Sequence, residues 1–99
     1  MRRAAKVDGN SAEIISAFRK LGCSVLPLHT VGSGCPDICV GKNFKNVLVE
    51  IKDGSKTKSA RELTKDEQKF HEEWRGLVIV VQDLGGVLDL VRALEKGAV

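Results

Sequence analysis

Two apolar segments with a short connection constrain the fold more than any other feature of the chain. PDICVG, at residues 36–41, and NVLVEIKD, at residues 46–53, have the length and β-branched content of strands. Only KNFK separates them, which predicts an antiparallel hairpin. The hairpin is unusual because Asp37, Glu50 and Lys52 interrupt segments that are otherwise apolar.

Apolar residues at helical spacing predict helices near both ends of the chain. In SAEIISAFRKLG, Ile14, Phe18 and Leu21 fall on one face of a helix. Asn10 can cap this helix, with Glu13 in the capping-box position. The segment GGVLDLVRALEKG predicts a last helix by the same spacing.

A further helix and two further strands complete the predicted fold. Thr64 and Glu67 form a T-x-x-E capping box, and the stripe of Phe70 and Trp74 is assigned to the core. SVLPLHT predicts a strand near a sheet edge, and LVIVVQ predicts a fully buried interior strand. The order α-β-β-β-α-β-α predicts an α/β (α+β) fold with a mixed central sheet flanked by helices.

The composition is that of a single small globular domain spanning residues 1–99, with 42% hydrophobic and 29% charged residues. No apolar run is long enough to cross a membrane, and MRRAAKVDGNSAE has no apolar signal core, so we expect a cytoplasmic protein. Cys23, Cys35 and Cys39 form no CxxC pair and are interpreted as buried apolar residues. A zinc site with Cys35, Cys39 and one histidine is the less favoured alternative.

Positive charge is concentrated in the first part of the chain. Residues 1–61 carry eleven Lys and Arg against five Asp and Glu, whereas residues 62–99 carry five against eight. Two segments contribute most, a basic N-terminal arm at residues 1–9 and a basic loop at residues 54–63. This asymmetry favours a polyanionic partner, although solvated surfaces also produce it.

Three charged residues of the hairpin are predicted to converge. Glu50 and Lys52 lie on one side of the second strand because side chains alternate, and Asp37 can project to the same side from the first strand. Two carboxylates suit Mg²⁺, which activates water for attack on a phosphate, and a lysine stabilises the charge that develops. The alternative is an exposed Glu-x-Lys pair worth at most about 1 kcal/mol.

Three short motifs resemble those of the PD-(D/E)XK nuclease superfamily, and in particular of its VRR-Nuc family. They are GCPD at residues 34–37, EIK at residues 50–52 and LTKDEQ at residues 63–68. The resemblance covers residues 10–82 and includes the order of the elements. It therefore implies the restriction-endonuclease-like core of that superfamily.

The resemblance also implies roles for individual residues. Asp37, Glu50 and the carbonyl of Ile51 would bind Mg²⁺, with Mn²⁺ as a substitute, and Lys52 would be the catalytic lysine. Two further residues would belong to the catalytic site, Glu13 as an additional metal ligand and Gln68 as the glutamine of the second helix. For Glu13 the alternative is a helix cap, and for Gln68 a solvated side chain.

Residues around this site are predicted to contact the DNA backbone, with ordinary solvated charge as the alternative. They are Arg2, Arg3, Lys6, Ser33, Lys56, Lys58, Arg61 and Lys65. Small stand-alone relatives resemble dimeric resolvases, so the resemblance implies a homodimeric, Mg²⁺-dependent endonuclease of branched DNA such as a Holliday junction. It implies no small-molecule cofactor. A catalytically silent nucleic-acid-binding module and a sequence-reading, restriction-type nuclease are the alternatives.

Overall fold

A four-stranded mixed sheet with three α-helices forms an α+β fold. A computed structural model describes residues 8–99. The elements are α1 (Ser11–Lys20), β1 (Ser24–Pro27), β2 (Ile38–Lys42), β3 (Lys45–Ile51), α2 (Lys65–Glu73), β4 (Val78–Val81) and α3 (Leu84–Lys96). The strands lie in the order β1-β2-β3-β4. The first two pairings are antiparallel and the third is parallel, so the predicted mixed sheet is confirmed.

The predicted hairpin is the centre of this sheet. Strands β2 and β3 pair from Ile38 opposite Val49 to Lys42 opposite Lys45. Only Asn43 and Phe44 remain for the turn, and both have positive φ angles. Because the turn is so tight, the register of the two strands is defined along their whole length.

The core lies on one face of the sheet. Side chains that alternate along β2, β3 and β4 point to this face and are buried: Ile38, Val40, Val47, Val49, Ile51 and Val81. Helices α1 and α3 pack together and contact β1 and β2, respectively. Ile14 and Phe18 of α1 and Val91 and Leu94 of α3 complete the core. The opposite face is left to carry the charged residues of the hairpin.

The prediction of an interior position for LVIVVQ is wrong. Strand β4 is an edge strand, because among the described residues it pairs only with β3. Val81 is buried, but Val80 is 37% exposed on the opposite face. The prediction failed because a short run of β-branched residues has the same pattern in an interior strand and in an edge strand that is covered on one face.

The predicted capping role of Asn10 is also wrong. Its side-chain amide donates to the carbonyls of Lys52, at 3.1 Å, and Gln82, at 3.0 Å. Asn10 therefore ties the start of α1 to the ends of β3 and β4. No side-chain cap hydrogen bond forms at the start of α1, and Glu13 is exposed. The predicted capping box of α2 is confirmed, since Thr64 Oγ1 accepts from the Glu67 amide and Glu67 Oε1 accepts from the Thr64 amide.

The assignment of the aromatic residues of α2 to the core is wrong for Trp74, which is 48% exposed. Its ring stacks on the half-buried Phe70, with the two centroids 5.1 Å apart. Cys23 is buried as predicted, whereas Cys35 and Cys39 are half-buried. None of the helices in residues 8–99 combines the length and the hydropathy that a membrane span requires.

Candidate active site

Asp37 and Glu50 face each other across the central strand pair. Asp37 immediately precedes β2, and the pairing of Ile38 with Val49 places it directly opposite Glu50, so both side chains project from the same face. The two carboxyl groups are close enough for Asp37 to raise the pKa of the Glu50 carboxyl. The Ile51 amide donates to Asp37 Oδ2 at 2.6 Å, which fixes this carboxylate at the end of the strand pair. The convergence predicted from the alternation is therefore present.

Glu50 is the most deeply buried of the charged residues, with 2% of its surface exposed. Burial, followed by the contact with Asp37 and the negative charge of Glu67, raises the pKa of the Glu50 carboxyl to about 10. Its Oε1 atom is buried and has no hydrogen-bond partner among the described residues. A buried oxygen without a donor beside a second carboxylate is what a cation would satisfy.

Lys52 follows β3 and points into the same region, 7% exposed. Its Nζ atom donates to Glu67 Oε1 at 2.7 Å. Burial alone would lower the pKa of the Lys52 ammonium, but the hydrogen bond and charge of Glu67, together with the charges of Glu50 and Asp8, raise it. For Glu67, burial would raise the pKa of the carboxyl, yet Lys52 and the Thr64 amide lower it. Both partners of this pair are therefore charged at neutral pH.

Helix α2 brings Glu67 to the site because its first turn lies against a glycine. Gly34 has a φ of +78°, and a Cβ atom there would lie 2.9 Å from the Glu67 amide nitrogen and even closer to the Asp66 carbonyl. Only glycine combines the left-handed conformation with so close an approach of another backbone. The turn of Gly32, Ser33 and Gly34, all with positive φ, thus sets the position of the helix.

An open cavity of about 610 Å³ lies over these residues. Asp37, Glu50 and Lys52 line it together with the turn at residues 32–34 and the first turn of α2. The loop that follows β3 contributes Lys56 and Ser59. These three charged side chains are buried, and the cavity gives a ligand access to them.

The residues present fit a hard divalent cation. Asp37 and Glu50 supply carboxylate oxygens. The Ile51 carbonyl points to the same side as its amide, which binds Asp37, because both groups of a strand residue face the same neighbour. Among residues 8–99, no three His, Cys, Asp or Glu side chains are arranged around one metal position. A cation here would therefore complete its coordination with the carbonyl, water and substrate oxygens, as Mg²⁺ commonly does.

Two residues that the resemblance assigned to the site lie elsewhere. Glu13 is exposed and lines a separate cavity beside Asp53 and Asp83. Gln68 is exposed on α2, while the preceding residue, Glu67, points to Lys52. The geometry therefore gives no support to Glu13 as a metal ligand, and it puts a glutamate where the resemblance implied a glutamine.

The predicted DNA-binding residues are dispersed. Ser33 and Lys56 line the cavity, and Lys56 approaches Asp8 at 3.8 Å. Lys58 and Lys65 are exposed. Arg61 instead binds Gln82 Oε1 at 2.6 Å and the Lys56 carbonyl, so it holds the loop against β4. Arg2, Arg3 and Lys6 lie outside the described residues.

Sequence reasoning identified Glu67 only as a helix cap. The T-x-x-E signal was correct, but one glutamate performs two tasks, because its Oε1 accepts from both the Thr64 amide and Lys52. No sequence pattern connects Lys52 with a residue fifteen positions later. The contact follows from the packing of α2 against Gly34.

Comparisons of the chain with models of protein families, with curated proteins and with solved structures find no match to any of them.

For the nuclease that the motif resemblance implies, Glu67→Gln is expected to lower turnover about 10- to 100-fold, a range typical of residues that orient an active group. Glutamine still accepts the cap hydrogen bond from Thr64 but removes the negative partner of Lys52. Single-turnover cleavage and DNA affinity should be measured separately, and only cleavage should fall. Glu72→Gln, on an exposed position of the same helix, is the matched control. Equal cleavage by the Glu67 variant and the wild type would contradict the role of Glu67.

Proposed function

We propose that this protein is a Mg²⁺-dependent endonuclease that hydrolyses phosphodiester bonds in branched DNA such as a four-way junction. The main support is the arrangement of Asp37, Glu50 and Lys52, which the pairing of β2 and β3 brings together, buried, at one cavity. A binding module has no need of two carboxylates that repel phosphate. The resemblance to VRR-Nuc motifs supports the same class.

In this proposal, each residue of the candidate active site has a separate role. Asp37 and Glu50 would hold the cation, and bound Mg²⁺ would neutralise phosphate charge and make water a stronger nucleophile. The Ile51 amide orients Asp37 through its 2.6 Å hydrogen bond. Lys52 donates a hydrogen bond to the reacting phosphate or to the attacking water. Glu67 keeps the Lys52 side chain extended toward the cavity before substrate binds.

Selectivity is proposed to come from DNA shape. The cavity is built by a turn, a loop and one helix end, and no described helix or ribbon beside it is placed to read base edges in a groove. Lys56 at the cavity, with Lys58 and Lys65 exposed nearby in sequence, supplies contacts to phosphates that carry no base information. Recognition of branch geometry is consistent with these contacts.

A panel of DNA substrates tests the function. Four-way junction, flap, nicked and linear duplex DNA should be incubated with the protein in Mg²⁺, Mn²⁺ or EDTA. We expect metal-dependent cleavage of branched DNA and little cleavage of linear duplex. Cleavage of linear duplex at one short sequence would favour the restriction-type alternative. Binding to DNA without cleavage in either metal would favour the silent module.

We propose that the protein acts as a homodimer, because the face of the sheet that carries Glu50 also exposes apolar side chains. They are Leu26 (61% exposed) and Val80 (37%). Leu26 lies in a cross-strand row with Cys39, Leu48 and Val78. Two symmetric cuts in a junction require two sites in fixed geometry, which a two-fold dimer supplies.

Val80→Lys is expected to convert the dimer to a monomer, because the new charge would be buried against the second subunit. Light scattering during gel filtration at micromolar concentration measures the mass. Leu88→Lys is the matched control, since Leu88 is 40% exposed on α3, which packs on the core side of the molecule. A monomeric wild type, or dissociation only by the Leu88 substitution, would contradict this surface.

A further inference from the structure

The closed end of the β2–β3 hairpin carries the most exposed apolar side chain among the described residues. Phe44 is 107% exposed, so its whole ring is in solvent. Its φ is +63°, in a two-residue turn whose first residue, Asn43, has a φ of +54°. Such a turn favours Asn followed by Gly, because both positions need the left-handed conformation. A phenylalanine is disfavoured at this position both by its backbone and by its exposure.

The charges of the two residues that flank the turn also disfavour the hairpin. Lys42 and Lys45 are directly opposite in the register, and like charges in this arrangement repel. Residues that are unfavourable for the local structure are expected at positions where a function requires them. The aromatic ring and Lys45 at this turn therefore indicate a binding role.

The turn is nevertheless tied to the rest of the molecule on both sides. The Asn43 side-chain amide donates to the Leu94 carbonyl of α3 at 3.0 Å. Lys42 Nζ donates to the Leu21 carbonyl at the end of α1, also at 3.0 Å. Phe44 is thus presented by an anchored turn, which reduces the entropy lost when a partner binds.

We propose that Phe44 stacks on an unstacked base of the DNA while Lys45 contacts an adjacent phosphate. This inference rests on the proposed function and adds a second DNA contact to it. One exposed ring matches one base, and aromatic stacking accepts any base. Branched DNA offers such bases at the branch. A lipid surface also attracts aromatic and lysine side chains, but membrane association requires a broad apolar face rather than a single ring.

The position of this contact relative to the candidate active site is set by the hairpin. Phe44 and Lys45 lie at its closed end, whereas Asp37 and Glu50 lie at its open end. Five residues of strand from Lys45 to Glu50 span about 17 Å. This separation is about the rise of five nucleotides, so the contact at the turn is distinct from the one at the candidate active site.

Fluorescence of 2-aminopurine in a four-way junction tests this contact. The base should be placed in turn at the branch and at each of several positions in one arm, and the full-length protein should be added in EDTA. Phe44→Gly should weaken junction binding about 5- to 150-fold, the effect expected from the loss of one stacked base. It should also raise the Tm by about 4 °C, because glycine suits the turn. Stacking of the aromatic ring on 2-aminopurine should quench the fluorescence of that base. Phe44→Trp should keep both the junction affinity and this quenching, and Leu88→Ala should change neither.

Unchanged junction affinity in Phe44→Gly, or quenching that does not depend on residue 44, would overturn the inference. If Phe44→Gly lost binding to phosphatidylserine vesicles but kept its affinity for DNA, the inference would also be overturned, and the turn would be a lipid contact. Binding through Phe44 without cleavage in Mg²⁺ would support this contact while the proposed endonuclease activity fails. Cleavage unaffected by Phe44→Gly, with unchanged affinity, would support the nuclease and reject the contact.

Discussion

Glu50→Gln is expected to reduce Mg²⁺-dependent cleavage by about 1,000-fold, the effect of losing one essential electrostatic group. The substitution keeps the shape of the side chain but removes a carboxylate that faces Asp37. DNA affinity should be unchanged or higher, because one negative charge near the phosphate is lost. Single-turnover cleavage and equilibrium binding in Ca²⁺ measure the two effects. Cleavage at the wild-type rate would end the assignment of this site.

The same variant should be more stable than the wild type when metal is absent. Burial beside Asp37 raises the pKa of Glu50 to about 10 from its usual value of 4.5, so the folded protein retains a proton that the unfolded chain releases. Stability of the metal-free wild type is therefore full below about pH 4.5 and falls as the pH rises toward about 10. Glutamine has no such ionisation, so the variant should lack this part of the decline.

Thermal unfolding in EDTA between pH 5 and pH 9 measures this difference. Addition of Mg²⁺ should raise the Tm of the wild type, and by more at high pH, because binding requires the deprotonated carboxylate. The Glu50 variant should respond little to Mg²⁺. An equal Mg²⁺ response of the two proteins would show that the cation binds elsewhere.

Gly34→Ala is expected to destabilise the protein by at least about 3 kcal/mol, the sum of a left-handed alanine and a backbone clash. The added Cβ would lie 2.9 Å from the Glu67 amide nitrogen, so α2 would have to move away from the site. The Tm should fall by about 12 °C or more. Cleavage should fall even at temperatures where the variant is folded, because Glu67 would lose its contact with Lys52.

Gly97→Ala is the matched control for this substitution. Gly97 has a similar φ of +70°, but a Cβ there would meet nothing within 4 Å. The Gly97→Ala variant should therefore lose only about 1 kcal/mol of its free energy of unfolding, the cost of a left-handed alanine. If the two alanine variants had equal Tm values, close packing of α2 on the turn would be excluded as the reason for Gly34.

The hairpin shows how much of the candidate site was predictable. Alternation along β3 and the short connection after Gly41 were sufficient to place Asp37, Glu50 and Lys52 on one face, because strand geometry repeats every two residues. These rules are local, so they required no knowledge of the other elements. The predictions for Glu13 and Gln68 came from resemblance alone, and the geometry supports neither.

The contacts between distant elements were not predictable in this way. Asn10 fits the sequence signal of a helix cap, yet its amide binds two strand ends that lie 42 and 72 residues away. Trp74 fits a helical apolar stripe, yet it remains half exposed at the end of α2. A local pattern reports which residues share a face of an element, but it does not report what that face meets.

By itself, the amino-acid sequence determined the order of the elements, the central hairpin and the charged triad of Asp37, Glu50 and Lys52. Only the tertiary structure decided that Glu67 holds Lys52, that β4 lies at an edge and that Phe44 stands in solvent. The physical reason is one of range. Backbone geometry acts over two to four residues, whereas these three outcomes depend on how whole elements pack against one another.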